Sequence, residues 1–263
     1  MKTHITLTNR IRPGGGIKAT LAGLALLAIV ASPALAGDGN VGNPGILPPQ
    51  SLPHGLSYAD WAAKWEQWSL AFPADADPAS DTAPQDSAQS GQVWFLAGAH
   101  GSAVVGGIAI VTRQITIPAG KALFFPILVN LQDNSDCPTY DSFTVDELRA
   151  HATASWAHVT ETSCTIDGVA VSGLENPQTT PYLVASTVFS YTVADHDNIL
   201  AADLGEPCIP DGTTVDSAVA LGAFLMLAPL PPGPHTIHLV GIVGPLASPF
   251  VDKDLTYDIT VTP

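Results

Sequence analysis

The side chains best equipped for chemistry in this chain are its histidines and the acids beside them. Asp195-His196-Asp197-Asn198 is the densest cluster of metal-ligand types, in a polar stretch that follows a strand-like run. It makes Asp195, His196 and Asp197 the candidate metal ligands, in company with a group from another segment. His235 and His238 stand three apart in a strand-like run, so their side chains point to opposite faces and cannot share an ion without a bulge. They remain, with His196, candidate ligand-binding residues. His151 and His158 are two helical turns apart, roughly 10 Å along the axis. One zinc holds its ligands about 2 Å away, so these two do not share it directly.

Two basic residues stand out because bases are scarce. Arg113 and Lys121 flank the turn tripeptide Pro118-Ala119-Gly120. Cross-strand pairing with acids is one reading; contact with an anion in a cleft is the other, and it makes both candidate ligand-binding residues. Three cysteines, Cys137, Cys164 and Cys208, are the disulfide candidates, and one of them must be left over. Loop-closure entropy does not choose between Cys137–Cys164 and Cys164–Cys208.

Other reaction classes leave no trace. There is no G-x-S-x-G elbow and no H-E-x-x-H helix. Gly37 to Gly42 spell G-x-G-x-x-G, but no strand precedes them and Pro44 follows. Asp75, Asp77 and Asp81 lie in a polar loop without the spacing of a calcium-binding EF-hand. A glycosidase needs one defined carboxylate pair; the 24 acids offer many and single out none. The stretch 117–126 resembles a strand–turn–strand of the cupin jelly rolls, but the histidine pair two apart that cupin metal sites use is missing. No cofactor is indicated, while calcium or a transition metal stays open.

The elements that must position these residues begin with a leader. Lys2, Arg10, Arg12 and Lys18 form a basic region, and residues 21–31 an apolar run too short to span a membrane comfortably. Ala34-Leu35-Ala36 completes a cleavage site, so 1–36 reads as a secretory signal and Gly37 as the mature start. The expected location is secreted or periplasmic, with no membrane anchor after cleavage. The mature part keeps 5 basic against 24 acidic residues, a formal charge of −19. Nucleic-acid binding needs Lys and Arg clusters, and this chain has none.

Residues 37–56 read as an irregular arm and 57–263 as one domain. Ser57 caps a helix over 58–72, on which Tyr58, Trp61, Trp65, Trp68 and Phe72 form one aromatic stripe. The stripe either docks on a sheet or offers sugars a stacking platform. Residues 73–90 read as an exposed loop. Thr144 and Glu147 form a capping box for a second helix, 145–158. Strands are predicted at 93–96, 106–117, 122–129, 182–193, 223–227, 236–243 and 255–261. The turn at Pro118-Ala119-Gly120 predicts a hairpin between the second and third of these. Asp167-Gly168 predicts another, with the dipeptide that type I′ turns favour.

Several strings carry a family likeness. Tyr58-Ala-Asp-Trp61-Ala-Ala-Lys-Trp65-Glu-Gln-Trp68, Ser90-Gly-Gln-Val-Trp-Phe-Leu-Ala-Gly98, Ile117-Pro-Ala-Gly-Lys-Ala-Leu-Phe-Phe-Pro-Ile127 and Pro229-Leu-Pro-Pro-Gly-Pro-His-Thr-Ile-His238 resemble an uncharacterised family of secreted bacterial proteins. The resemblance implies secretion and a single domain, and no reaction. It also implies a cysteine where this chain has His151, which leaves Cys164 as the partner expected for Cys137.

The expected fold is mainly β: an antiparallel β-sandwich, with a jelly roll among the arrangements that fit, and two amphipathic helices. The expected role is a non-catalytic binding or structural module. A carbohydrate or other cell-surface ligand is the expected partner, and a homo-oligomer stays open. The alternative is a hydrolase or metal-dependent enzyme with an Asp/His site assembled across strands.

Overall fold

The computed structural model describes residues 43–135, 142–204 and 208–263. Residues 1–36, read from the sequence as a secretory signal, the start of the arm and Cys137 lie outside the described residues. The described residues are mainly β, with two sheets packed face to face and three α-helices.

The first sheet holds β1 (Val93–Phe95), β3 (Ala122–Asp133), β8 (Thr214–Leu227), β6 (Leu183–Ala185) and β7 (Phe189–Thr192). Its order is β1-β3-β8-β6, with β7 also on β8. The second runs β2 (Ile108–Pro118), β10 (Val251–Thr262), β9 (Gly233–Val243), β4 (Val159–Ile166) and β5 (Val169–Ala170). Most pairs are antiparallel, but β1 with β3 and β2 with β10 run parallel.

Helix α1 (Tyr58–Ser69) starts at Ser57, whose hydroxyl bonds the Asp60 amide while the Asp60 carboxylate returns to the Ser57 amide. Its aromatic stripe docks on the outer face of the first sheet, with Tyr58 and Trp65 buried against Phe124, Phe224 and Met226. All three indole N–H groups are used: Trp61 donates to Pro53 O, Trp65 to Leu96 O and Trp68 to Ser87 O. The stripe is therefore a packing surface, and it does not stand free as a row of rings for sugars to stack on.

Helix α2 (Val145–Trp156) is capped by the reciprocal Thr144–Glu147 pair and packs against β3 and β8. The Asp167-Gly168 hairpin forms as expected, both residues at positive φ as type I′ requires. A short helix α3 (Ile199–Ala202), capped by Asn198, is an addition.

Three expectations are corrected. The strands either side of Pro118-Ala119-Gly120 are not a hairpin: β2 pairs with β10 and β3 with β1 and β8. The tripeptide instead carries the chain from one sheet to the other, and Ala119 N bonds Thr262 O. The segment 73–90 is not exposed throughout. Asp77, Pro78, Ala79 and Ser80 are buried, because the Asp77 carboxylate caps the 3-10 turn Pro78–Ser80 and Arg113 reaches the Ala79 carbonyl. The strand expected over 182–193 is broken into β6 and β7, each paired with β8; the arm is irregular where it is described, with Ile46 bridging Leu227 and buried in the inter-sheet core.

The cysteines also sort differently. Cys164 is a free thiol buried in the inter-sheet core, which excludes both pairings built on it. Burial pushes its pKa up to about 12, so it is an inert packing group. Cys208 is disulfide-bonded.

Strand β3 breaks its alternation once. Leu123, Phe125 and Ile127 face the second sheet and Phe124 faces α1, but a register shift between Pro126 and Leu128 leaves Ile127 and Leu128 both in the inter-sheet core. Two glycines accommodate this bulge. A Cβ on Gly222 would lie 2.6 Å from Leu128 O, and one on Gly241 would lie 2.5 Å from Leu128 Cγ. At Gly222 the obstacle is backbone and cannot rotate away. Gly222→Ala is therefore expected to cost about 1–3 kcal/mol by overpacking, measured by urea denaturation. A loss near zero would mean that the bulge relaxes freely.

Candidate functional site

The bulge opens a space. A cavity of about 110 Å³ lies between α1, the bulged half of β3, the loop 98–100, α3 and β10. Two further cavities, of about 50 and 100 Å³, adjoin it, and Lys253 lines all three. The walls are mostly aliphatic, including Leu70, Leu128, Leu200 and Leu255.

Two charged side chains enter this apolar space from opposite directions. Glu66 comes from α1, where Ala62, Ala63, Ser69 and Leu70 form a second buried face beside the aromatic stripe. Lys253 comes from β10, on the same side of the strand as Val251, Leu255 and Tyr257. Glu66 is only 4% exposed, and its Oε1 is buried with no hydrogen-bond partner. Lys253 is partly buried and makes no hydrogen bond or ion pair among the described residues.

The environment acts on both groups in the direction of neutrality. Burial, helped by the nearby Asp133 charge, raises the Glu66 carboxyl to about 8, and the Lys253 ammonium opposes this. Burial, helped by Arg113, lowers the Lys253 amine to about 8, and Glu66 opposes this. The two groups thus sense each other across the cavity without joining. Asp133, by contrast, is satisfied: it accepts from Tyr191 Oη at 2.6 Å and from the Ser135 amide at 2.9 Å.

A polar knot sits beside the cavity at His100. The buried Asp77 carboxylate accepts from the Ala79 and Ser80 amides and the Ser80 hydroxyl. Ser80 Oγ also lies 3.1 Å from His100 Nδ1 and 2.9 Å from Asp203 Oδ2. Asp77, His100 and Asp203 are the one grouping among the described residues with three metal-ligand atoms within 4.8 Å of one another. Ser80 already ties those atoms together, so we read the knot as a clamp joining three segments.

The residues singled out from sequence fall elsewhere. Arg113 is buried and held by several partners. It meets Asp81 at 2.7 Å, donates to the carbonyls of Ala79, Ala97 and Gly98, and lies over the Tyr257 ring. This is the acid pairing, though to a loop and not across strands, and it occupies the guanidinium in bonds to Asp81 and three backbone carbonyls. Lys121 donates to Gly91 O. His196 is 63% exposed and pairs with its neighbour Asp195 at 2.8 Å, while Asp197 sits at positive φ in the same surface turn. His235 bonds Asp167 and Pro231 O, and His238 bonds Asp254 across the strands. His196, His235 and His238 do not converge; Asp75 from the 73–90 segment approaches His196 Nε2 at 3.9 Å, but with Asp195 and Asp197 it forms no set of three ligand atoms within 4.8 Å of one another among the described residues.

No helix of the described residues is long and apolar enough to cross a membrane. No protein-family model, curated protein or solved structure matches this chain.

Proposed function

We propose that the chain is an exported, non-catalytic binding protein that encloses a small, mainly apolar molecule between its sheets. The observation that carries this is the pair Glu66 and Lys253 lining one mainly aliphatic cavity, Glu66 Oε1 buried without a hydrogen bond and Lys253 partly buried without one among the described residues. Buried polar groups are nearly always paired, and a carboxyl and an amine left facing a void call for a partner of their own. The cavity approaches the size that accepts a benzene-sized molecule. Its ligand is therefore a small ring or short chain carrying one polar group. The leader and the acidic surface support an exported location. Carbohydrate loses its main argument, because the aromatic stripe is packed.

The test is a melting-temperature screen of the mature protein with benzoate, benzylamine, benzyl alcohol and a set of mono- and disaccharides. Aromatic probes are expected to stabilise the wild type at millimolar concentration. Lys253→Met removes the response to benzoate, and Glu66→Gln removes the response to benzylamine. Stabilisation by saccharides alone, or by none of these, overturns the reading.

A further inference from the structure

We infer that Lys253 captures its ligand covalently, by forming an imine with a small apolar aldehyde or ketone inside the cavity. The inference rests on the enclosed-ligand reading above and specifies its chemistry.

An amine is a nucleophile only when unprotonated, and most lysines are tied up as hydrated or ion-paired ammonium groups. Lys253 is neither. It projects from β10 into aliphatic walls and has no acceptor holding its protons among the described residues. Arg113, a fixed cation nearby, further disfavours the ammonium form. A desolvated lysine beside a second cation is the standard arrangement for an amine that attacks carbonyl groups. Glu66, whose carboxyl the same burial raises to about 8, stays partly protonated there and gives the cavity a proton donor.

The step balances without any further reagent. The Lys253 Nζ lone pair attacks the carbonyl carbon, a C–N bond forms, and the oxygen gains a proton to give a carbinolamine. Glu66 protonates that hydroxyl, the C–O bond breaks and water leaves. The nitrogen returns its proton to the Glu66 carboxylate. One amine and one carbonyl compound become one imine and one water, with no change in oxidation state. Aliphatic walls restrict the water available to reverse the step.

The experiment treats the full mature protein with benzaldehyde and sodium cyanoborohydride at pH 8, then maps the reduced benzyl adduct by peptide mass spectrometry. Lys64 and Lys121 serve as internal reference amines. Lys253 is expected to label roughly tenfold faster than either, since a larger fraction of it is unprotonated at this pH. Lys253→Met abolishes the fast adduct. Glu66→Gln keeps the site but slows it on the order of tenfold. Benzyl alcohol, which fits the same space and has no carbonyl, protects Lys253 from labelling. Equal labelling of all three lysines overturns the inference. If benzyl alcohol stabilises the protein while no Lys253 adduct forms, the imine fails and the cavity reading stands. If neither occurs, both fail.

Discussion

Replacing Arg113 with Met is expected to destabilise the protein by about 1–3 kcal/mol, the usual cost of leaving buried acceptors without their donor, since its ion-pair partner Asp81 is 42% exposed and solvated when released. The size follows from what the guanidinium holds. Its Nε meets Asp81, Nη1 serves Ala97 O and Gly98 O, and Nη2 serves Ala79 O. Without it, Gly98 O loses its donor and Asp81 its partner, while Ala79 O keeps the His100 amide and Ala97 O the Tyr257 hydroxyl; a buried acceptor left unsatisfied costs about 1–3 kcal/mol. Arg113→Lys is expected to recover only part of the loss, because an ammonium cannot span three directions at once. Urea denaturation of both variants checks this. A loss below about 1 kcal/mol for the Met variant would show that water replaces the guanidinium freely. The same loops carry Asp77, Ser80 and His100, so the change should also loosen one wall of the cavity.

Glu66→Gln is expected to stabilise the protein increasingly as pH rises from 4.5 to 8, and by a constant amount above that. The sign follows from proton counting. Glu66 has its folded pKa raised to about 8 from 4.5, so between those values the folded state holds a proton that the unfolded state has released. Wild-type stability therefore falls through this window. Lys253 works in the next one. Its folded pKa is lowered to about 8 from 10.5, so between 8 and 10.5 the unfolded state binds the extra proton. Wild-type stability gains there relative to Lys253→Met, and the Met variant has its largest advantage below pH 8. At about 1.4 kcal/mol per pKa unit, each effect reaches a few kcal/mol. Differences between variant and wild type cancel the common background of titrating groups. The groups facing this pair are Arg113, Asp133, Tyr191 and His100, and none is altered by these substitutions. Chemical denaturation at pH 5, 7, 8 and 10 provides the curves, and parallel curves would mean that neither group titrates abnormally.

Local signals in the sequence were reliable where one segment decides the outcome. Thr144 with Glu147, Asp167-Gly168, the Tyr58–Trp65 stripe and the alternation of Leu255, Tyr257, Ile259 and Val261 all appear as expected. Pairing between distant segments was not legible. Pro118-Ala119-Gly120 has hairpin chemistry, yet the flanking strands find better partners in separate sheets. The site was missed for a related reason. Glu66 looks like a solvent-facing helix charge, although the small face of Ala62, Ala63 and Ser69 around it marks a buried side. Extending the alternation of β10 two residues back from Leu255 places Lys253 inward, and the same step from Ile115 places Arg113 inward. The inward charges were visible in the strand period; what each of them meets was not.

The pairing of β2 with β10 has a kinetic side. Ile108 lies opposite Asp252 and Pro118 opposite Thr262, so every ladder bond between them closes a loop of roughly 140 residues. Such contacts form late and slowly, since the chain loses the entropy before it gains the pairing. Until β10 docks, β2 waits as an open edge whose outward Ile108 and Ile110 are exposed even in the finished protein. Recovery of folded protein on refolding would thus depend on how long that edge stays uncovered, and substitutions along β2 can change yield while leaving equilibrium stability untouched.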